Sequence, residues 1–305
     1  MSETFMNTKE VARYLGLNEK RVYGLIREGR LPATRVTGKW LFPRRLIDEW
    51  LEERARTSLK ETKDRARRVT GGLLAAGSDD PALHLLLMTF QAARRGFYIF
   101  TATVGSGEGL RILGGGFTDL AFCHLPDTDG RYNTPAVLDP HLGATPYVVV
   151  RLFRREVSLL AAPGNPLGIG GLEDALARRV RLVNRQRGSG TRLYIDRCLE
   201  AAGIPPREIG GYEREVFTHL DVGLEILKGR ADVGVATTAV ARLLGLSCLP
   251  LTREPFDMVL PQAVYFTPAL QALLETLRSP SFREGAASLG GYDLTEAGTI
   301  CHATA

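Results

Sequence analysis

Residues 181–191 read R-L-V-N-R-Q-R-G-S-G-T, and no other stretch restricts the fold as strongly. Arg181, Leu182 and Val183 end a buried strand. Gly188, Ser189 and Gly190 make a tight turn, and Leu193, Ile195, Cys198 and Leu199 then recur at helical spacing. A Gly-Ser-Gly-Thr turn between a strand and a helix points free backbone N–H groups and two hydroxyls at one spot. That spot lies at the positive end of the helix dipole and suits a small anion. Glycine allows close approach of the backbone, and Ser and Thr donate hydrogen bonds without adding charge. With no ligand in view, the same turn is an ordinary strand–helix connection with Ser189 or Thr191 as N-cap.

The 305 residues suffice for two or three globular units. No apolar run reaches the roughly 18 residues of a membrane span, and M-S-E-T-F-M-N-T-K-E contains no apolar signal core. A cytoplasmic protein with no membrane partner is therefore expected. Cys123, Cys198, Cys248 and Cys301 are scattered, with no C-x-x-C and no His at metal-ligand spacing, and read as reduced thiols. The net charge of +5 is uneven: residues 1–68 hold 17 Lys and Arg against 10 Asp and Glu, the remainder 22 against 24. A basic head on a near-neutral body points to a polyanionic partner for the head.

The head divides at its glycines. Asn7 or Thr8 can cap a helix from Lys9 to Leu15 that carries Val11, Ala12 and Leu15, and Gly16 stops it. Asn18 caps a second helix with Val22, Leu25 and Ile26 on its inner stripe, and Gly29 ends it. Arg35 to Phe42 alternates around a Thr-Gly tip and predicts a hairpin. Pro43 is expected to open a third helix bearing Leu46, Ile47, Trp50 and Leu51. Together these predict a winged helix-turn-helix over 1–52.

The segment resembles the excisionase-like and MerR-like DNA-binding domains. Thr8, Glu10-Val11-Ala12, Tyr14-Leu15-Gly16-Leu17, Val22-Tyr23, Leu25-Ile26, Gly29, Leu31-Pro32-Ala33, Arg35-Val36, Trp40 and Phe42 carry the likeness. The resemblance implies double-stranded DNA as partner, with the second helix in the major groove. Asn18, Lys20, Arg21, Tyr23 and Arg27 are then the contacts along that helix, and Thr37 and Lys39 touch backbone or minor groove from the wing tip. Glu19 either accepts from a cytosine or serves the helix dipole. Tyr14, Trp40 and Phe42 read as core.

Residues 53–69 read as a charged helical linker. Leu51, Ala55, Leu59, Thr62 and Ala66 make a thin seam along it, through which a homodimer could pair. Beyond it, strands at 72–76, 97–104, 120–123, 180–184 and 231–236 alternate with apolar helices, the pattern of an α/β protein with a parallel sheet. Tyr147 to Leu160 is too long and too charged for one buried strand. A strand passing from one lobe to another explains it, and the chain returns through Leu249 to Val264. The expected plan is two-lobed over 70–305, with lobe 1 about 70–150 and 250–305 and lobe 2 about 155–245.

G-S-D-D-P-A-L-H-L-L, V-G-S-G-E-G-L, D-L-A-F-C-H-L, N-R-Q-R-G-S-G-T-R and G-R-A-D-V-G-V-A are similar to the periplasmic-binding-protein-like (type II) domain found behind helix-turn-helix heads and on molybdopterin-biosynthesis proteins. They also resemble the tungstate and molybdate solute-binding proteins. The resemblance implies an oxyanion, molybdate or tungstate, as ligand of a one-component transcription regulator, with no cofactor. Ser78, Ser106 and Ser189 each lie in a Gly-containing turn before a helix, and turns from two lobes can face one cleft. Gly107, Gly190 and Thr191 add donors, and Arg192, like Arg185 and Arg187, is a counter-charge or else an ordinary ion pair. Thr218 reads as a helix cap that also donates, and Asp221 is expected to orient the second lobe. His124 and His219 read as hydrogen-bonded core histidines.

Catalysis finds little support. There is no G-x-S-x-G elbow, no P-loop, no G-x-G-x-x-G and no zinc motif, so no catalytic or metal-ligating residue is expected. The competing readings are a sensor of a small organic ligand, an architectural DNA-binding protein with an idle second domain, and an enzyme of molybdopterin metabolism.

Overall fold

The computed structural model describes residues 5–36, 38–52, 54 and 71–304. The chain divides into two compact units, Met1–Val69 and Thr70–Ala305. Thr37 and most of the 53–69 linker, with the seam from Ala55 onward, lie outside the described residues.

In the first unit, β1 (Phe5–Met6) leads into α1 (Thr8–Tyr14), capped by Asn7 in a reciprocal capping box with Glu10. Asn18 caps α2 (Glu19–Arg27), and its side chain accepts from the Arg21 N–H. The wing is β2 (Thr34–Val36) and β3 (Lys39–Pro43), joined through Gly38 at φ +82°. A third helix, α3 (44–52), follows. β1 pairs with β3 to give the sheet order β1-β3-β2. Met6, Val11, Ala12, Val22, Leu25, Leu31, Phe42 and Ile47 form one core.

The head departs from expectation at three points. Pro43 ends β3 and does not open the helix. Tyr14 is exposed, with its hydroxyl donating to Asp48 (2.6 Å) and the Arg44 guanidinium over its ring. Its phenol needs a polar partner, and α3 supplies one at the surface. Trp40 is half-buried at the edge of the core.

The second unit opens with β4 (Gly72–Gly77), α4 (Pro81–Ala93), β5 (Tyr98–Thr103), α5 (Ser106–Gly114), β6 (Leu120–Cys123) and α6 (Pro135–Leu142). The long β7 (Tyr147–Ala161) leads to α7 (Leu172–Ala177), β8 (Leu182–Arg185), α8 (Gly190–Ala201), β9 (Glu215–Val216), α9 (His219–Leu227), β10 (Val233–Thr237) and α10 (Thr238–Leu244). The equally long β11 (Ser247–Pro261) returns to α11 (Gln262–Tyr265), α12 (Pro268–Arg278), α13 (Pro280–Leu289), β12 (Tyr292–Asp293) and β13 (Ile300–Ala303). Sheet order is β5-β4-β6-β11-β7-β10-β8-β9, with β12 and β13 also on β7.

Two lobes result because β7 and β11, paired antiparallel along their length, pass through both. Val148 to Phe153 and Phe256 to Leu260 pack with α4 and α12, whereas Val157 to Ala161 pack with β8, β10 and α8. Leu182 and Val183 on β8, and Val233, Val235 and Ala236 on β10, pack into cores on either side of the sheet, which is why those strands read as apolar runs. Helices α6, α10 and α13 were not legible. α6 carries Pro140 inside it, and α10 follows β10 without an intervening turn.

β7 is one strand, buried for nearly all its length despite its arginines. Arg151 binds Asp257 and Glu296 (2.7 Å to the latter). Arg155, fully buried, donates to Glu254 on β11 (2.6 and 2.9 Å) and to Asp80, the N-cap of α4 (2.7 Å). Burial disfavours its charge, but the two carboxylates more than restore it. Burial would likewise push the Glu254 carboxyl up, yet His124 and Arg155 outweigh it and hold it at about 2.

Arg155→Ala strands two buried carboxylates and is expected to cost about 3–5 kcal/mol in urea unfolding. Glu254, depressed on folding, contributes its full stability above its ordinary value of 4.5 and loses it as the pH falls toward about 2. Glu254→Gln is therefore expected to flatten the acid limb of the stability–pH curve.

Candidate functional sites

In the first unit, α2 presents Lys20, Arg21, Tyr23 and Arg27 to solvent, and a shallow recess between it and the wing is lined by Glu19, Lys20, Tyr23, Ile26, Arg27 and Trp40. The inner stripe of α2 (Val22, Leu25) turns these side chains outward. Asn18 spends its carbonyl oxygen on the Arg21 N–H. Arg21 lies 3.7 Å from Glu28, a loose exposed pair that a phosphate could displace. Lys39 is exposed at the start of β3. Trp40 belongs to this surface as well as to the core, a role that its type alone did not reveal.

In the second unit, the Gly-containing turns of the two lobes meet. Ser78, after β4, lies with its Oγ 2.7 Å from Ser106 Oγ at the start of α5. Ser106 Oγ also accepts from the His124 N–H (3.2 Å). From lobe 2, Gly188 O accepts from the Gly107 N–H (3.4 Å). Ser189 is the N-cap of α8, its Oγ accepting from the Arg192 N–H (3.2 Å). Gly190 lies so close to His124 that a Cβ would stand 2.5 Å from its ring and its carbonyl oxygen. Thr191 is buried, and its Oγ1 has no partner among the described residues. Ser78, Ser106, Gly107, Ser189, Gly190 and Thr191 are thus brought to one place. Arg192 turns into lobe 2, where it binds Asp196 and Glu215 (3.0 Å each) and stacks on Tyr212 (4.0 Å).

Further groups stand at this junction, of which the sequence named only Arg185 as a candidate counter-charge. Arg185, at the end of β8, is buried, donates to Phe217 O (2.8 Å) and Gln186 Oε1 (3.2 Å), and keeps Nη1 without a partner among the described residues. Burial lowers its pKa to about 10, against the opposing pull of Asp79. Gln186 Nε2 is likewise unpartnered and faces Gly105. His219, the first residue of α9, is fully buried with both ring nitrogens unpartnered among the described residues. Burial, then Arg185, Arg155 and His124, push its pKa well below 6.5. His124 Nδ1 lies 3.0 Å from Glu254 Oε1. Burial raises the pKa of the Asp79 carboxyl, against the opposing pull of Arg185 and the nearby backbone N–H of His219. Thr218 caps α9 as expected, and Asp221 completes a capping box with it, a role the sequence reading did not give it. The signal for Arg185 and Gln186 was their place in N-R-Q-R directly before the turn. His219 had no signal beyond its neighbour Thr218.

Buried donors without partners are rare in proteins, because each forfeits its hydration. Here several converge beside the N-termini of α5, α8 and α9. Such an arrangement can hold an anion through neutral hydroxyls, an amide and one guanidinium. Among the described residues no group of three or more His, Cys, Asp or Glu could hold a metal ion, and no helix is long and apolar enough to cross a membrane.

Residues 88–278 match the model of the PBP superfamily domain, and residues 5–55 match that of a helix-turn-helix domain. The uncharacterized protein YvgK of Bacillus subtilis (strain 168) is 27% identical over 98% of this chain and 99% of its own. Among solved structures, a Clostridium perfringens protein assigned as a phosphate ABC transporter substrate-binding protein, with bound phosphate, superposes with a TM-score of 0.55 at 13% identity, covering 72% of this chain and 97% of its own. The tungstate ABC transporter protein of Geobacter sulfurreducens reaches 0.52 at 14% identity, covering 71% and 98%. A hydrogen-peroxide-bound mutant of Corynebacterium glutamicum OxyR reaches 0.50 at 15% identity, covering 93% and 90%. At these identities the structures speak for the fold. The chain belongs to the PBP superfamily domain family and carries a helix-turn-helix domain at its N-terminal end.

Proposed function

We propose that this protein is a ligand-responsive transcription regulator that binds DNA through its head and a tetrahedral oxyanion, molybdate or tungstate, in the cleft of its second unit. The observation that carries the reading is the set of unpartnered buried donors, Thr191 Oγ1, Gln186 Nε2 and Arg185 Nη1, beside the Ser78–Ser106 pair at the lobe junction. A dianion takes all of them at once, whereas a hydrocarbon ligand would leave them unsatisfied. The phosphate-bound and tungstate-related structures with this fold are compatible with such a ligand. Lys20, Arg21, Tyr23 and Arg27, with Lys39 and Thr37 on the wing, are the DNA contacts in this reading. The protein acts by binding and not by catalysis, inside the cell where DNA is available, and as a homodimer that presents two heads to paired half-sites.

Thermal-shift titration with molybdate, tungstate, sulfate and phosphate is expected to show stabilisation by one of the first two. An anion at about 100 times its Kd adds roughly 2.7 kcal/mol. No shift with any of the four, and a shift with a small organic acid, would replace the oxyanion by an organic ligand.

Thr191→Val removes one hydroxyl at nearly constant shape and is expected to weaken the anion about tenfold, the scale of one buried hydrogen bond. Gly190→Ala is expected to hold the lobes apart, because its Cβ would meet His124 at 2.5 Å. Calorimetry is expected to show anion binding lost, with circular dichroism unchanged. Lys20→Ala or Arg27→Ala is expected to weaken duplex binding and lower the salt slope by about one, leaving the anion-induced thermal shift intact.

A further inference from the structure

The anion cleft has an electrostatic difficulty of its own. Asp79, Asp80 and Glu254 stand around it against Arg155 and Arg185, so carboxyls outnumber guanidiniums before any ligand arrives. Asp221, on the same helix as His219, adds another carboxyl toward Arg185. A dianion entering this buried cluster leaves a large uncompensated negative charge in a region of low dielectric. A proton taken up with the ligand removes part of it.

Two buried groups could receive that proton. Burial raises the pKa of the Asp79 carboxyl, while Arg185 beside it and the nearby His219 backbone N–H oppose its protonation. His219 is different: its ring is fully buried and neither nitrogen has a partner among the described residues. The neutral ring offers one donor and one lone pair, whereas the protonated ring offers two donors. Around it stand Arg185 from β8, Arg155 from β7 and His124 after β6, all disfavouring its charge. Burial disfavours it further. An anion beside Arg185 and Arg155 reverses the balance.

We infer that the cleft takes up a proton together with its anion, and that His219, unpartnered at both ring nitrogens at the start of α9, is the ligand residue that receives it. The inference rests on the oxyanion reading above. His219 holds the anion through both ring N–H groups, next to Arg185 Nη1 and Gln186 Nε2. Binding therefore tightens as the pH falls, in proportion to the protons taken up.

The experiment is calorimetric titration of the full chain with tungstate, which carries no proton of its own at pH 8, in Tris and in HEPES. Their different ionisation heats report protons exchanged on binding. The expected result is uptake of about one proton per tungstate, and an affinity that falls about tenfold per pH unit above neutrality. His219→Gln, which keeps a donor that does not titrate, is expected to abolish the uptake, and Asp79→Asn to retain it. The wild-type measurement stands even if His219→Gln fails to fold, because the imidazole 15N shifts of the wild-type protein report directly whether a histidine becomes protonated on adding tungstate. Tungstate binding with equal heats in both buffers, or with no histidine protonated, overturns the inference and leaves the oxyanion reading standing. Uptake that survives in His219→Gln and disappears in Asp79→Asn also overturns it. No binding of tungstate, molybdate, sulfate or phosphate overturns both.

Discussion

The second unit depends on one buried ion cluster. Arg155 lies near the point where β7 passes from one lobe into the other, opposite Glu254 on β11. Its other nitrogen holds Asp80, which caps α4. A guanidinium in such a place is tolerable only with its hydrogen bonds filled, and the two carboxylates fill them. Through Asp80 the cluster sets the end of the 77–80 turn, and with it Ser78 and Asp79. Through Glu254 it stands beside His124, whose N–H reaches Ser106. The lobe 1 half of the cleft thus inherits its position from a charge on the connecting strand.

The cleft inverts the usual logic of a protein interior. Elsewhere in this unit many buried polar groups are answered, as with Ser158 and Thr238, or Asn133 with Cys123 and Asp257, although Arg94 Nε, Thr118 Oγ1 and Thr237 Oγ1 also lack a partner among the described residues. At the lobe junction they are not. Arg185, Gln186, Thr191 and His219 each keep a donor or a lone pair free among the described residues, at the ends of β8 and the starts of α8 and α9. Such an imbalance costs stability unless a ligand supplies the missing acceptor. The head balances its charges differently: the cations of α2 are exposed and the Arg21–Glu28 pair is loose, as suits contact with a solvated polyanion.

Most of the plan was legible because it rests on local rules. Asn7, Asn18 and Thr218 cap helices as their types and spacing indicate, and the positive φ of Gly188 answers the tight turn before Ser189. The three serine turns converge because each follows a strand of one sheet. What was not legible depends on partners far apart in sequence. The buried arginines of β7 look like breaks in a strand until Asp80, Glu254 and Asp257 are placed beside them. Arg192 looks like a ligand contact until Asp196, Glu215 and Tyr212 surround it. Tyr14 looks like core until Asp48 offers its hydroxyl a partner. His219 looks like a satisfied core histidine, and only the three-dimensional neighbourhood shows that no described residue satisfies it.

The most direct test of the oxyanion cleft is crystallographic. Crystals grown with tungstate and measured at the tungsten absorption edge locate the anion without prior assumption. The account predicts one strong anomalous peak at the lobe junction, within hydrogen-bond reach of Ser78, Ser106 and Thr191 and beside Arg185 and His219. A saturating soak that leaves the junction empty, or a peak elsewhere while an organic molecule fills the cleft, would contradict it.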